Sequence, residues 1–316
     1  GHIQAQSFSS ELMKKFAGQA QEADKKVKAL AYLVSLLNAR LNFMMNLLVN
    51  GLFLYDLQCV YRLEKWRENY GEKLITWLVA IRDTEVLISL ATWHANHPAF
   101  SFPIIQDLFM IQAEDIGHPL LQPEECISNT VTIGNPHRVL IITGANMAGK
   151  STFLRTLGVN LVLALNGAPV CAKSFHCRIV DLRSGMRTAD SLKDHQSYFY
   201  AELKRLKSIV EELHSGKPLL ILLDEILKGT NSTDKLAGSM ALVQQLLNYS
   251  CLALIATHDL ALGKLEEDYS NQVINYCFEP IMEGNKLSFD YKLRMGIAQK
   301  MNATFVMKKM GIIPDA

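Results

Sequence analysis

Hydrophobic and polar positions follow one pattern in the first third of the chain and another in the remainder. From about residue 7 to about residue 97, apolar side chains recur every three or four positions, as at Leu30, Leu33 and Leu37, which is the spacing of an amphipathic helix. No proline precedes Pro98, so no residue in this stretch lacks the N–H donor that a helix needs. The pattern predicts long packed helices and an all-helical domain over residues 1–105.

The pattern changes after His97-Pro98, because proline biases the preceding residue away from the helical conformation. Short apolar runs bounded by turn residues then alternate with helix-like stretches. The predicted strands cover residues 131–133, 139–142, 219–223 and 252–256, and the predicted helices cover residues 152–165, 196–213, 235–247 and 259–267. This alternation predicts an α/β domain over residues 106–316, with a mainly parallel sheet and helices on both faces.

Composition narrows the class of protein. The 316 residues are 49% hydrophobic and 20% charged, with a formal net charge of +1, which fits a globular protein of about two domains and not a dedicated nucleic-acid binder. The uncharged stretch 41–55 is shorter than the roughly 18–20 residues that span a bilayer, so we expect a buried helix and no membrane partner. The six cysteines form no C-x-x-C pair, which favours free thiols and a cytoplasmic location.

Residues 144–152 read GANMAGKST and match the P-loop pattern G-x-x-x-x-G-K-[ST] between a predicted strand and a predicted helix. Gly144 and Gly149 allow the backbone to approach a phosphate closely, while the loop N–H groups and the helix N-terminus face its oxygens. We expect Lys150 to reach the β- and γ-phosphates and the Ser151 hydroxyl to ligate Mg²⁺. The predicted cofactors are ATP and Mg²⁺, and the predicted binding residues are Gly144, Ala145, Asn146, Met147, Ala148, Gly149, Lys150, Ser151 and Thr152.

A second buried strand ends in a pair of acidic residues. The run LLILLDE ends in Asp224-Glu225, and an aspartate at the carboxyl end of such a strand is placed to ligate Mg²⁺ through water. Glu225 is placed to orient or deprotonate the water that attacks the γ-phosphate. His258 ends the following strand, in LALIATHD, and we expect it to contact the γ-phosphate. The alternative interpretations are a solvated turn for the acidic pair and a structural role for the histidine.

Four motifs follow one another in a specific order: GANMAGKST, DSLKDHQSYFYAEL, LLDEILKGTNSTD and ATHD. Together they resemble the ATPase domain of the MutS family of DNA mismatch-repair proteins, which are ABC-type P-loop NTPases. The resemblance covers residues 111–313, and Asn146-Met147-Ala148 inside the loop is specific to it. The segment GIAQKMNATFVMKKMGII is similar to the family's closing helices at the dimer contact. The preceding all-α domain is more weakly similar to its core and lever helices.

The resemblance implies a homodimer formed through the ATPase domain, in which each subunit completes the other's site. Ser197 matches the serine that contacts the γ-phosphate bound by the opposite subunit. Asn146 matches a loop residue that helps to position the attacking water. Where the family has an aromatic residue that stacks on the base, this sequence has Cys126 next to Ile127, so we expect Ile127 to hold adenine by apolar contact.

Two functions follow from the resemblance. The first is an ATP-binding, Mg²⁺-dependent ATPase module of a mismatch-repair protein, which couples its ATP state to binding of mismatched DNA through the dimer. The alternative is a MutS-like ATPase without mismatch recognition, acting on branched DNA or as an ATP-gated protein scaffold. It stays open because no Phe-x-Glu mismatch-reading segment is recognisable and the net charge of +1 is close to neutral. His195-Gln196 stands before Ser197 where the family's signature has a glycine, a departure that bears on the contacts in trans. A small-molecule kinase is disfavoured, since Glu225 directly after Asp224 suits attack by water.

Overall fold

The computed structural model describes residues 7–38, 50–186, 198–227, 230–283 and 286–299. Contacts between Cα atoms divide the chain into two compact units, Gly1–Ala95 and Asn96–Ala316. In the first unit the described residues form the helices α1 (Glu11–Gln19), α2 (Ala23–Asn38) and α3 (Tyr55–Asn96), all within the segment predicted to be helical. No helix among the described residues is both long and apolar enough to cross a membrane. Most of the uncharged stretch 41–55 lies outside the described residues.

Helix α3 is 42 residues long, and it ends immediately before His97-Pro98, where the sequence predicts the end of the helical region. Its buried side chains include Trp66 and Trp77. The indole Nε1 of Trp66 donates a hydrogen bond to the carbonyl oxygen of Lys26 in α2 (3.0 Å), and the Lys26 ammonium lies 4.7 Å from the centre of the Tyr70 ring. These contacts pack α3 against α2.

The second unit consists of strands and helices in alternation. Its strands among the described residues are β1 (Ile104–Ile105), β2 (Ile111–Ile116), β3 (Asn129–Ile133), β4 (Val139–Gly144), β5 (Ser174–Cys177), β6 (Asp181–Gly185), β7 (Leu219–Asp224), β8 (Cys251–Thr257), β9 (Val273–Glu283) and β10 (Lys286–Met295). Its helices there are α4 (Lys150–Leu165), α5 (Tyr198–Leu213), α6 (Ser232–Leu247) and α7 (Leu265–Asp268), and a 3₁₀-helix (Leu260–Lys264) precedes α7.

The strands form two sheets. The larger has the order β10-β9-β4-β8-β7-β6, in which β9, β4, β8, β7 and β6 are parallel and β10 pairs antiparallel with β9. The smaller has the order β1-β5-β2-β3, with β2 antiparallel to both of its neighbours. Every residue of β4, β7 and β8 is buried, as the uninterrupted apolar runs of these strands predict.

Alternate side chains of the parallel strands enter two hydrophobic cores. Leu140 packs on one side with Leu154 and Leu157 of α4. Ile141 packs on the other side in a cluster with Ile209 of α5, to which α6 also contributes. The prediction of a mixed α/β domain with a mainly parallel sheet is confirmed. The helices start slightly differently from the predictions, since α4 begins at Lys150 and α6 at Ser232, and residues 259–267 divide into a 3₁₀-helix and a short α-helix.

Candidate functional site

Three parallel strands bring the predicted motifs to one edge of the larger sheet. β4 ends at Gly144, β7 at Asp224 and β8 at Thr257. In the register of the sheet Thr143 pairs with Thr257 and Asp224 pairs with Ala256, so the carboxyl ends of these strands lie side by side. Open α/β sheets bind their ligands at this edge, which makes it the candidate site.

The loop after β4 requires glycine at two positions. Gly144 has a φ of +149°, and a Cβ added there would lie 2.5 Å from the carbonyl oxygen of Phe278. Gly149 has a φ of +106°, and a Cβ added there would lie 3.0 Å from Cδ1 of Tyr291. Residues with side chains rarely adopt such angles, so the path of the loop depends on both glycines. Between them, Met147 also has a positive φ (66°) and a side chain directed to solvent, 85% exposed.

Lys150, the first residue of α4, places its ammonium inside the loop. Its Nζ donates hydrogen bonds to the carbonyl oxygens of Gly144 (2.7 Å) and Ala145 (2.8 Å), and the residue is only 4% exposed. A buried ammonium needs such polar partners to offset its lost hydration. The side chain is therefore fixed in the loop, directly beside a helix N-terminus that favours an anion.

Asp224 provides a buried carboxylate at the end of β7. The residue is 6% exposed, and its Oδ1 is buried without a hydrogen-bond partner among the described residues. An unpaired buried carboxylate oxygen is costly, whereas carboxylate and hydroxyl oxygens are ligands that Mg²⁺ accepts. Ser151 lines the pocket beside the loop, and Asp224 directly precedes Glu225, which lines the same pocket. A hydroxyl and a buried carboxylate are oxygen donors of the kind that a hard divalent cation takes, so the residues present fit such an ion.

Glu225 follows Asp224 in a strained turn. Its φ is 55°, its N–H donates a hydrogen bond to the carbonyl oxygen of Ala256 on β8 (2.8 Å), and its side chain lines the pocket. Oε1 of Glu225 lies 3.9 Å from Nδ1 of His258. The structure thus brings these two predicted residues together, although His258 itself is not part of the pocket lining.

Burial lowers the pKa of His258 from its usual value, and the nearby Lys235 ammonium lowers it further, while the Glu225 carboxylate raises it. The ammonium of Lys150 also lowers this pKa, and Asp259 raises it. The imidazole is therefore held in its neutral form near neutral pH. In that form one ring nitrogen donates a hydrogen bond and the other accepts one, and a γ-phosphate contact needs the donor.

The pocket beside the loop has a volume of about 1140 Å³. Residues 146–152 line it, and so does Ile127, the residue that the sequence suggests for the adenine contact. The lining also contains two aromatic residues that the sequence reasoning missed, Phe289 and Tyr291 of β10, whose ring centres are 6.1 Å apart in a stacked arrangement. The alternating polar and apolar residues of KLSFDYKLRM, which form β10, were the available signal.

Tyr291 is held at the pocket by hydrogen bonds between β10 and β3. The amide Nδ2 of Asn129 donates to the carbonyl oxygen of Tyr291 (3.0 Å), and the N–H of Leu293 donates to Oδ1 of Asn129 (2.7 Å). The Lys292 ammonium donates to the carbonyl oxygen of Ser128 (2.8 Å). The smaller sheet therefore positions one wall of the pocket.

One predicted site residue, Ser197, lies outside the described residues, together with His195-Gln196 before it. Helix α5 is described from Tyr198, the next residue. The C-terminal segment predicted to lie at a dimer contact is described only as far as residue 299. The six cysteines are free thiols.

A parallel sheet with a glycine-rich loop leading into a helix places the second unit among the α/β NTPase-like domains. Residues 140–316 match the family model described as MutS domain V. This match covers more than half of the chain. The chain therefore belongs to the MutS family of DNA mismatch-repair proteins.

Individual relatives agree with this family. The chain is 32% identical over 201 residues to the DNA mismatch repair protein MutS of Thermotoga petrophila, which covers 63% of this chain and 25% of that protein. It is 28% identical over 245 residues to the protein of the same name from Ehrlichia ruminantium, covering 77% and 30%. It is 29% identical over 219 residues to the DNA mismatch repair protein MSH4 of Arabidopsis thaliana, covering 68% and 27%. The chain thus spans less than a third of the length of these curated relatives.

Proposed function

We propose that this chain binds ATP and hydrolyses it with Mg²⁺, as the ATPase module of a MutS-family protein. The observation that carries the proposal is the position of Lys150 and Glu225, which come from two different strand ends and face one pocket. One supplies the cation that phosphates require, and the other supplies a carboxylate for the attacking water.

Phosphate binding rests on the shape of the loop and on the charge inside it. The glycines at both ends allow the backbone N–H groups to approach phosphate oxygens. Lys150 already lies inside the loop, so little side-chain ordering is needed when ATP binds. In the same pocket, Ile127 and Tyr291 provide apolar and aromatic surface for the adenine ring.

Hydrolysis rests on Asp224, Glu225 and His258. Ser151 and Asp224 are the residues that would hold Mg²⁺, which neutralises phosphate charge when bound. Glu225 orients the attacking water and accepts its proton, and Asn146 in the loop contributes a second polar contact to that water. The neutral His258 imidazole contacts the γ-phosphate region from the next strand end.

The dimer and the DNA partner are inferred from the family. Ser197, directly before α5, would contact the γ-phosphate bound by a second copy of the chain, so that ATP binding closes a homodimer. The relatives named above are DNA mismatch repair proteins. We infer that this module changes the DNA affinity of the whole protein according to its ATP state.

The test is ATP turnover with Mg²⁺ by the wild-type chain and by Lys150→Ala. Loss of the ammonium should abolish nucleotide binding or hydrolysis. Lys173→Ala is the matched control, because Lys173 forms an exposed ion pair with Glu114 on the smaller sheet. Turnover by Lys150→Ala at the wild-type rate would show that the site is wrongly assigned.

DNA coupling needs a separate experiment. Homoduplex, mismatched and branched DNA should be titrated with the longest natural form, with and without ATP, over a series of salt concentrations. Preference for mismatched DNA that changes with ATP supports a mismatch-repair role. Preference for branched DNA, or no DNA binding, would leave the ATPase assignment intact and reject the mismatch role.

A further inference from the structure

The turn that carries Glu225 is held in place by a residue of helix α5. Oε1 of Glu202 accepts a hydrogen bond from the N–H of Leu227, at 2.6 Å. Leu227 lies two residues after Glu225, in a turn outside the helices and strands. Its N–H therefore has no partner in a sheet. The other carboxylate oxygen, Oε2, is buried and has no hydrogen-bond partner among the described residues. The bond to Leu227 is therefore what fixes this side chain.

The turn needs such support because its backbone is strained. Both Glu225 (φ 55°) and Leu227 (φ 58°) adopt left-handed conformations without being glycine. Conformations of this kind persist only when neighbouring contacts enforce them, and they concentrate at functional sites. The N–H of Glu225 is bound by Ala256 on one side, and Glu202 binds the N–H of Leu227 on the other.

Side-chain packing against the hydrophobic core also holds this turn in place. Ile226 and Leu227 are buried in the core that faces α5 and α6. A Cβ added to Gly238 of α6 would lie 2.7 Å from Cδ1 of Leu227, so the leucine side chain is closely packed. Apolar packing resists displacement of the turn, but it does not select the direction of a peptide N–H. The Glu202 hydrogen bond does.

We propose that Glu202 is a positioning residue for hydrolysis: by binding the Leu227 N–H, it sets the orientation of the turn that places the Glu225 carboxylate against the attacking water. The inference rests on the proposed ATPase function. Glu202 does not line the pocket, so it acts through the turn and not on the nucleotide. A displacement of about 1 Å of a catalytic group can cost about 100-fold in rate, so loss of this bond should lower kcat while leaving the affinity for ATP unchanged.

Three substitutions of Glu202 separate positioning from simple structural support. Glu202→Ala removes the acceptor, and Glu202→Asp keeps the charge but shortens its reach by one methylene. Glu202→Gln keeps an acceptor oxygen at the same distance from the backbone. The matched control is Glu211→Ala, near the other end of the same helix, where an exposed carboxylate pairs with Lys207 four residues away.

The experiment measures kcat, KM and ADP affinity for each variant, alongside the wild type and Lys150→Ala. We expect kcat to fall about 10- to 100-fold in the alanine and aspartate variants, with ADP affinity within about twofold of wild type. The glutamine variant should recover to within about threefold of the wild-type kcat, because a neutral acceptor gives a weaker bond of the same geometry. The control should match the wild type.

Amide hydrogen exchange at Leu227 provides a readout that does not depend on activity. The Leu227 amide should exchange faster in the alanine and aspartate variants than in the wild type and the glutamine variant. Unchanged kcat in the alanine variant, a parallel loss of ADP affinity, or a glutamine variant as slow as the other two would overturn the proposal. If the alanine variant does not fold, the aspartate and glutamine variants decide.

The same measurements distinguish failure of the proposed ATPase function from failure of the positioning role of Glu202. If the wild type shows no turnover that depends on Lys150, then the ATPase assignment fails. If turnover depends on Lys150 but not on Glu202, only the positioning role fails.

Discussion

The Lys235 ammonium lies 3.4 Å from Nε2 of His258, on the side of the ring opposite to Glu225, whose Oε1 is 3.9 Å from Nδ1. An ammonium has donors and no acceptor. Nε2 must therefore be the acceptor, which places the imidazole proton on Nδ1, facing the Glu225 carboxylate. Lys235 thus selects the tautomer of His258, and its charge adds to burial in lowering the pKa of this histidine.

Replacing Lys235 with methionine should raise the pKa of His258. Burial, which is the larger cause of the lowered pKa, stays, but the Lys235 charge is removed, so the pKa moves back toward its usual value of about 6.5. The measurement is a titration of the His258 ring followed by NMR. Lys217→Met, at an exposed position, is the control. An unchanged or lower pKa in the Lys235 variant contradicts the assignment.

The lowered pKa of His258 makes the free energy of unfolding depend on pH. Because the folded pKa of His258 lies below the unfolded one, the unfolded chain binds more protons in the interval between them. The stability that His258 contributes is present above its unfolded pKa, and it is lost as the pH falls toward its folded pKa. The Lys235→Met variant should lose less stability than the wild type over that interval, measured by urea unfolding at several pH values.

Glu225→Ala should retain ATP binding and slow hydrolysis by about 10²- to 10⁴-fold. The variant removes the group that orients the attacking water, whereas the phosphate-binding loop is unchanged. ATP affinity and single-turnover rate should be measured in parallel. Glu267→Ala, at an exposed position of α7, is the control, and turnover near the wild-type rate would exclude Glu225 from this role.

Ser197→Ala should affect turnover only where dimers form. In a composite site this hydroxyl contacts a phosphate bound by the other subunit, so its loss matters in proportion to the dimer fraction. The rate per subunit should be measured over a range of protein concentrations, with light scattering to report the oligomeric state. A wild-type rate independent of concentration, in a sample without dimers, would count against a role in trans.

Much of the parallel sheet could be predicted from the sequence, since each buried strand is an uninterrupted apolar run. β4, β7 and β8 carry this pattern, and polar residues follow each of them at the site edge. Lys150 was predicted from the P-loop pattern, and Glu225 was predicted from its place directly after an apolar run. A buried strand leaves a strong signal because both of its faces exclude polar side chains.

The parts that escaped prediction have mixed or short patterns. β1 has two exposed residues, and the residues of β6 are all exposed or half-buried. Tyr291 was missed because its place in the pocket depends on Asn129, more than 160 residues earlier in the chain. Contacts of this kind arise from the fold and leave no local pattern. The role proposed for Glu202 escaped for the same reason, since its partner Leu227 lies 25 residues later, in the turn after β7.

Tyr291→Ala should weaken ATP binding about tenfold, given that stacking of a base on an aromatic ring contributes about 1–3 kcal/mol. Tyr291→Phe keeps the ring and should bind ATP almost as tightly as the wild type. Calorimetric titration with ATP, and with a triphosphate that lacks a base, separates the two contributions. Equal affinity of the alanine variant and the wild type for ATP would remove Tyr291 from the adenine site.

Asn160 of α4 joins three backbone segments at the side of the helix that faces the smaller sheet. It is fully buried. Its Nδ2 donates to the carbonyl oxygens of Gly117 (2.9 Å) and Thr156 (2.8 Å), and its Oδ1 accepts from the N–H of Cys171 (2.7 Å). Both Gly117 and Cys171 also hydrogen bond to each other, so this asparagine completes a small network between α4 and the smaller sheet.

Asn160→Ala should lower the free energy of unfolding by roughly 2–6 kcal/mol, because it leaves the Gly117 carbonyl and the Cys171 N–H without these partners, at about 1–3 kcal/mol for each unsatisfied group. Asn166→Ala is the control, since its exposed side chain donates a hydrogen bond to the carbonyl oxygen of Val162 within the same helix end, and it should change stability by less than about 0.5 kcal/mol. Urea unfolding of both variants gives the comparison. Equal stability of the two would mean that water replaces the Asn160 side chain, and that the smaller sheet is joined to α4 by packing alone.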